Sequence, residues 1–338
     1  AFIGLRFNIG GDFGQYRFIY SQFAELSFLE ALIPGTNRSD PGFALVNWLI
    51  HKIDIFNSIY WNYAYRVGGY NIVNVVLAFI FSFFFLKFSF SQPRPFLILA
   101  LSFPYLIVVV AMGYIRQGVA IGLLAYALIE LVRSKNLRFI LLVLIAGSLH
   151  KSAFLFLPLV AYVNTDSKIL LFIISASFLS LLSLVLLASE FERLISVYVG
   201  QSMQSSGAVY RLGLLLPAAF VYFLYQKKFS FNSTEHKIWT LFSVTSIAMF
   251  ISVVSFGSSF STSIDRIALY YLPFQVLILS LLPDIFNERN SFLVLLGLLL
   301  YYFLLFFIWL SIGSNNSAWV PYSNLLFLDW TPWHNNFL

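Results

Sequence analysis

Five places in the chain set ionisable side chains against apolar runs. Arg116 and Gln117 open "YIRQGVAIGLLAYAL" (114–128), a run able to enter a bilayer. His150 and Lys151 interrupt the apolar stretch 138–163. Tyr210 and Arg211 begin another run, and Asp265 and Arg266 begin a third. Arg6 and Asp12 lie near the front, in "RFNIGGDFGQYRF". A charge at the centre of a bilayer costs roughly 2.5–3.5 kcal/mol on insertion scales. Each of these residues is therefore at an interface or holding a partner. Arginines at helix starts suit a phosphate or pyrophosphate, because helix N-termini favour anions and the guanidinium fork takes two phosphate oxygens. A carboxylate or an imidazole beside them could take a proton.

Each residue also has a plainer role open to it. Arg116, Arg6 and Arg211 could anchor at head groups by snorkelling. His150 could be a satisfied core histidine. Asp265 and Arg266 could pair with each other, and Asp12 could be a turn residue after Gly10 and Gly11.

The elements that must position these residues follow from composition. The chain has 338 residues, 60% hydrophobic and 10% charged, with a mean hydropathy of +0.85. Soluble domains carry about 25% charged residues. The class is therefore an all-α polytopic membrane protein with about 8–10 transmembrane helices. Period-two alternation is absent, which excludes a barrel. Spans are expected near 70–88, 95–113, 115–132, 169–188, 211–226, 238–257, 267–283 and 291–312. Residues 1–66 hold short apolar stretches broken by Arg17, Glu25, Glu30, Lys52 and Asp54, and read as amphipathic helices on the membrane surface. The aromatic and polar tail runs over 313–338. No internal repeat or linker divides the chain, so 1–338 reads as one membrane domain: front region 1–66, bundle 67–312 and tail 313–338.

Basic short turns at 132–138 and 226–237 are expected on the cytoplasmic side. Counting crossings then places 1–66, the loop 189–210 and the starts of the Arg116, Arg211 and Asp265 helices on the outer side. The same count requires 138–163 to cross zero times or twice. A helix–break–helix hairpin with His150 and Lys151 at its turn satisfies it. One long tilted span is the other reading, and would move one basic turn outside.

Several chemistries are excluded. The chain has no cysteine, hence no disulfide and no thiolate nucleophile or ligand. It has no HExxH, Gly-rich phosphate loop, DxD pair or GxSxG. Its four histidines are far apart. No basic run interleaved with aromatics offers a nucleic-acid surface. Neither cofactor nor metal is expected.

Four segments, "LRFNIGGDFGQY" (5–16), "SDPGFALVNWLIHKI" (39–53), "YIRQGVAIGLLAYAL" (114–128) and "LHKSAFLFLPL" (149–159), resemble the EpsG family of Wzy-like exopolysaccharide and O-antigen polymerases. "VYRLG" (209–213) and "IDRIALYYLPF" (264–274) extend the resemblance. It implies a GT-C-like fold at the bacterial inner membrane, with the active site facing the periplasm or exterior. The implied substrates are undecaprenyl-diphosphate-linked oligosaccharides, handled among membrane lipids, with room for a chain-length-regulating membrane protein as partner. Residue by residue, Arg6, Asp12, Arg116, Gln117 and His150 match the family's motifs, with Arg211 and Asp265 added. The family usually has a spanning helix before the first segment, and the chain begins at Ala1, so an upstream helix is expected. His150, Asp12 and, after them, Asp265 are the candidate bases. Arg116, Gln117, Arg211, Arg6, Arg266, Lys151 and Tyr210 are the candidate diphosphate and substrate ligands. A lipid-linked oligosaccharide flippase and a polysaccharide acyltransferase are the alternatives from other classes.

Overall fold

A computed structural model describes residues 1–32, 39–53, 68–167, 170, 173, 207–256, 261–313 and 315–327. The described residues form helices joined by turns and loops, with one isolated bridge between Arg6 and Asn324. The front region forms α1 (Phe13–Ser21), α2 (Phe28–Leu32) and α3 (Pro41–Lys52). The bundle follows with α4 (Gly69–Phe90), α5 (Pro95–Ser102), α6 (Ile115–Val132), α7 (Asn136–Leu149), α8 (Leu159–Val163), α9 (Ala208–Gly213), α10 (Leu216–Tyr225), α11 (Ser233–Phe256), α12 (Ser261–Ala268), α13 (Leu272–Leu281) and α14 (Glu288–Ile312). Six helices or helix pairs among the described residues are long and apolar enough to span: 69–90, 115–132, 208–225, 233–255, 261–285 and 288–312. The expected span 169–188, residues 54–66 of the front region and most of the loop 189–210 lie outside the described residues.

Helix α6 is the axis of the fold, buried along most of its length. Two glycines one turn apart let its neighbours approach. A Cβ on Gly118 would stand 2.9 Å from Ala111 Cα, and one on Gly122 would stand 3.0 Å from the Phe81 ring. Without a hydrophobic drive between helices in lipid, such close contact is what holds them together. The helix α5 does not simply continue toward α6. Residues Phe103–Ala111 are wound as wider π-helical turns, with Pro104 lacking an N–H. The carbonyl of Val108 accepts the Trp319 indole N–H at 2.9 Å.

The stretch 138–163 is broken where the crossing count requires. Helix α7 ends at Leu149, His150 is extended, and a tight 3₁₀ run spans Lys151–Phe156 before α8. Both feet of this hairpin return to one end of the bundle. Asn136 follows the basic turn after α6. At the other foot, Lys237 donates to the carbonyls of Val163 (3.2 Å) and Thr165 (2.9 Å) and to Asp166 (2.7 Å). Arg94, between α4 and α5, meets Asp284 at the foot of α13, its Nε donating at 2.9 Å. The starts of α6, α9 and α12, the hairpin apex and the front helices gather at the opposite end.

The front helices are surface pieces in length but not in packing. Helix α1 buries Phe13, Tyr16, Ile19 and Tyr20, and Phe13 meets Tyr70 edge-on at 5.3 Å. The tail residues pair with the front loop: Phe7 N–H to Ser323 O (3.0 Å), Gly10 N–H to Ala318 O (2.8 Å) and Leu325 N–H to Leu5 O (2.8 Å).

Candidate functional site

Arg116 sits in the first turn of α6, in a seat made by three separate elements. Its guanidinium carbon is 5.2 Å from the ring centroids of both Tyr16 on α1 and Phe43 on α3. NH1 lies 3.5 Å from Oδ2 of Asp40, which precedes α3. Its Nε is buried and has no hydrogen-bond partner. The seat depends on two close approaches. Gly10, at φ +98°, lies over Met112, where a Cβ would be 2.7 Å from the Met112 carbonyl oxygen. That contact sets α1 against the start of α6. Gly42 lies over the end of α7, where a Cβ would be 2.4 Å from Ser148 Oγ and 3.0 Å from the Ser148 carbonyl. That contact brings Asp40 to the hairpin apex.

The Asp40 carboxylate accepts the backbone N–H of Lys151 as well as facing Arg116. Burial pushes its pKa up, and the charges of Arg116 and Lys151 oppose the shift. Asp12, half-buried before α1, accepts the Tyr16 hydroxyl at 3.4 Å. Burial pushes its carboxyl up too, against Arg266 first, then the Tyr16 hydrogen bond and Arg116. His150, in the break between α7 and the 3₁₀ run, has Nδ1 2.7 Å from Ser152 Oγ and 3.2 Å from the Tyr270 hydroxyl. Ser152 donates to that hydroxyl at 3.2 Å. Burial, with Arg116, Arg266 and Lys151 around it, pushes the imidazole down to about 3. A cluster of two carboxylates, one imidazole and three cations thus forms at one end of the bundle.

The remaining sequence candidates divide. Gln117 is buried and its amide donates to the Arg266 carbonyl, tying the start of α6 to α12. The Arg266 side chain is exposed and lies within electrostatic range of Asp12 and His150. Asp265 does not pair with its neighbour Arg266. Both of its oxygens accept from Arg211, at 2.6 Å each, joining α9 to α12. That bidentate pair leaves Asp265 poorly placed as a base and neutralises much of the Arg211 charge. Tyr210 is 80% exposed. Lys151 is exposed at the apex. Arg6 is a correction. It is buried, with Nε donating to Ile9 O (3.2 Å) and NH1 to Ile3 O (2.8 Å). Its donors shape the loop that leads to Asp12, so it holds that loop rather than a diphosphate.

Sequence reasoning passed over Asp40, Tyr16, Phe43, Ser152 and Tyr270. Asp40 had a signal: a carboxylate directly before Pro41, at a helix start. Tyr270 lies four residues after Arg266, one turn along the same face. Among the described residues no three or more His, Cys, Asp or Glu side chains converge as a metal site would need.

The EpsG family profile matches residues 1–324, so the chain belongs to the EpsG family. No curated protein and no solved structure matches it.

Proposed function

We propose that this EpsG-family chain is a membrane polysaccharide polymerase. It transfers a growing sugar chain from its lipid diphosphate to a hydroxyl of a second lipid-linked oligosaccharide. The carrier class is undecaprenyl diphosphate, and the site opens on the outer face of the bacterial inner membrane. In the reaction a bond forms between the acceptor oxygen and the anomeric carbon. The bond from that carbon to the diphosphate oxygen breaks, and the lipid diphosphate leaves with the electron pair. The acceptor proton passes to a base on the protein.

The observation that carries this reading is the Arg116 seat. A guanidinium packs against two adjoining rings and lies near one carboxylate, with a buried Nε–H that has no partner. A buried donor left unsatisfied costs about 1–3 kcal/mol, and a phosphate oxygen that enters as the seat shifts would satisfy it. Arg266 and Lys151 add positive charge beside it, where negative charge develops on the leaving diphosphate. Arginine and lysine can then supply the stabilisation that such a leaving group needs.

His150 and Asp12 are the two candidates for the base. His150 Nδ1 lies within reach of both Ser152 Oγ and the Tyr270 hydroxyl, either of which can accept an Nδ1–H. That tautomer leaves the Nε2 lone pair to take a proton. Burial first, and after it the surrounding cations, oppose protonation in the empty site. A bound diphosphate would offset them and make the imidazole a stronger base. Asp12 would act by orientation and charge, with Tyr16 holding one oxygen.

The test is the purified full chain in proteoliposomes with a lipid-diphosphate oligosaccharide. The expected product is a ladder of longer lipid-linked chains with release of lipid diphosphate. Movement of the substrate across the bilayer without bond formation would replace polymerisation with transport. Acylation of the glycan instead of its extension would replace it with acyl transfer.

A further inference from the structure

The far end of α6 carries a second charged cluster that the proposed reaction does not use. Glu130, in the last turn of α6, is only 1% exposed. Its Oε1 lies 3.3 Å from Arg133 NH1, and its Oε2 lies 3.3 Å from Arg138 NH1 and 3.7 Å from Lys135 Nζ. The three cations are 46%, 65% and 45% exposed in that order. One buried carboxylate therefore fixes the position of three cations and can balance the charge of only one. Tyr126, one turn earlier on α6, lies beside Glu130, and Lys87 from α4 reaches over its ring, 5.3 Å from the centroid. Lys87 also lies 4.4 Å from the Phe83 centroid. The result is a rim with a surplus of positive charge. Arg133 and Arg138 each meet Glu130 through NH1, and a guanidinium carries five donors.

The rim adjoins apolar surface. Helices α4 and α7 both pack against α6. On α4, Phe79 and Phe83 are exposed, one turn apart and leading away from Lys87. On α7, Leu137, Leu141, Leu144 and Ile145 are exposed, leading away from Arg138. Cations at a helix foot, continuous with lipid-facing rings and leucines, match the two parts of a phospholipid.

We propose that this rim binds the phosphate head group of an anionic phospholipid, with the acyl chains lying along Phe79 and Phe83 and along Leu141 and Ile145. A free phosphate would gain the cations but not the apolar flanks. A zwitterionic lipid would gain the flanks but would bring its own cation to the rim. The site is independent of the polymerase reading, because it lies at the opposite end of α6 from Arg116.

The experiment uses the purified full chain in a neutral detergent at about 0.15 M salt. Bound lipid is counted by native mass spectrometry, and thermal unfolding is followed as lipid is added. Phosphatidylglycerol is expected to bind and to raise the unfolding temperature, with phosphatidylcholine and inorganic phosphate at equal concentration doing neither. Each surface cation strengthens attraction to anionic lipid severalfold, so the Arg133→Gln/Arg138→Gln double variant should bind phosphatidylglycerol about 10-fold or more weakly. Should that variant fail to fold, Lys87→Gln and Arg138→Gln singly should each weaken it severalfold. Equal binding of the two lipids, an equal shift with inorganic phosphate, or unchanged lipid binding in the folded variants would overturn the proposal.

Discussion

Replacing Arg116 by lysine separates what its charge does from what its shape does. The side chain packs against the adjoining rings of Tyr16 and Phe43, with NH1 at 3.5 Å from Asp40 and a buried, unpartnered Nε. A lysine keeps the positive charge, the attraction to Asp40 and part of the cation–π contact, which is worth about 0.5–2 kcal/mol per ring. It loses the planar fork and the second, differently aimed donor. In the free protein that donor is a liability of about 1–3 kcal/mol. Arg116→Lys should therefore leave thermal stability unchanged or slightly raised. In the reaction the same donor would face the leaving diphosphate. Losing one donor from a preorganised site costs about 2.7–4 kcal/mol, or on the order of 10²–10³ in rate. The two effects have opposite signs, and that opposition is the signature. The assay is the initial rate of chain extension by purified protein in proteoliposomes, with unfolding followed by intrinsic fluorescence on the same preparation. Arg116→Ala should lose at least as much rate and also some stability, because the contact with both rings is lost. An Arg116→Lys variant within about threefold of the wild-type rate would refute the reasoning and return Arg116 to a snorkelling role, which lysine fills equally well. A variant whose rate and stability fall together would refute it too, by making the seat structural.

Four other outcomes are expected. His150→Ala and Asp12→Ala, compared at equal protein levels, should show that the residue acting as base loses roughly 10²–10⁴ in rate; near-normal extension by both would leave the reaction without either base. Gly42→Ala should push α3 off Ser148 and separate Asp40 from Lys151, costing about 1–3 kcal/mol in unfolding measurements and on the order of 10²-fold in rate, so normal activity would show that the Asp40 contact is dispensable. If Asp12 is the base, it must be ionised, so the rate should rise with pH through its raised pKa. Arg266→Gln removes the largest charge opposing that rise and should move the acidic limb of the pH–rate profile to higher pH, whereas an unmoved limb would detach it from Asp12. Single cysteines at Ser134 and Phe327, in a chain that has none of its own, should react with an impermeant thiol reagent from opposite sides of the membrane, and labelling from one side would break the orientation proposed for the site.

The fold class and the level of the site were legible because hydropathy and loop charge are local properties. The break at His150 is one of two readings that the sequence leaves equally open, the other being a single tilted span, and the structure shows the break. The partners were another matter. Asp265 adjoins Arg266 in sequence, yet its carboxylate is taken by Arg211, 54 residues away. No periodicity records such a pairing, which exists only once α9 and α12 pack. Asp40 went unnoticed because a carboxylate before a proline is first explained as a helix start, and only Gly42 on Ser148 brings it to Arg116. Arg6 looked like a ligand because its type suits phosphate. Its donors go to the carbonyls of Ile3 and Ile9, within three residues of itself, in a loop whose curvature no pattern announces. The π-helical turns at Phe103–Ala111 were equally hidden, since their composition is that of any apolar span.

Helix α6 begins with Arg116 and ends with Glu130, about 21 Å apart at 1.5 Å per residue. This order is the reverse of what stabilises an isolated helix, whose positive N-terminal pole prefers acidic side chains and whose negative C-terminal pole prefers basic ones. Each charge costs α6 about 0.3–1 kcal/mol, a deficit that its burial among neighbouring helices offsets. In return the side-chain charges lengthen and strengthen the field of the helix instead of cancelling it. The N-terminal pole draws anions more strongly than backbone dipoles alone would. The C-terminal pole gathers Arg133, Lys135 and Arg138. One buried rod thus polarises both ends of the bundle, and reversing its end charges would weaken attraction for anions at the first end and for cations at the second in a single change.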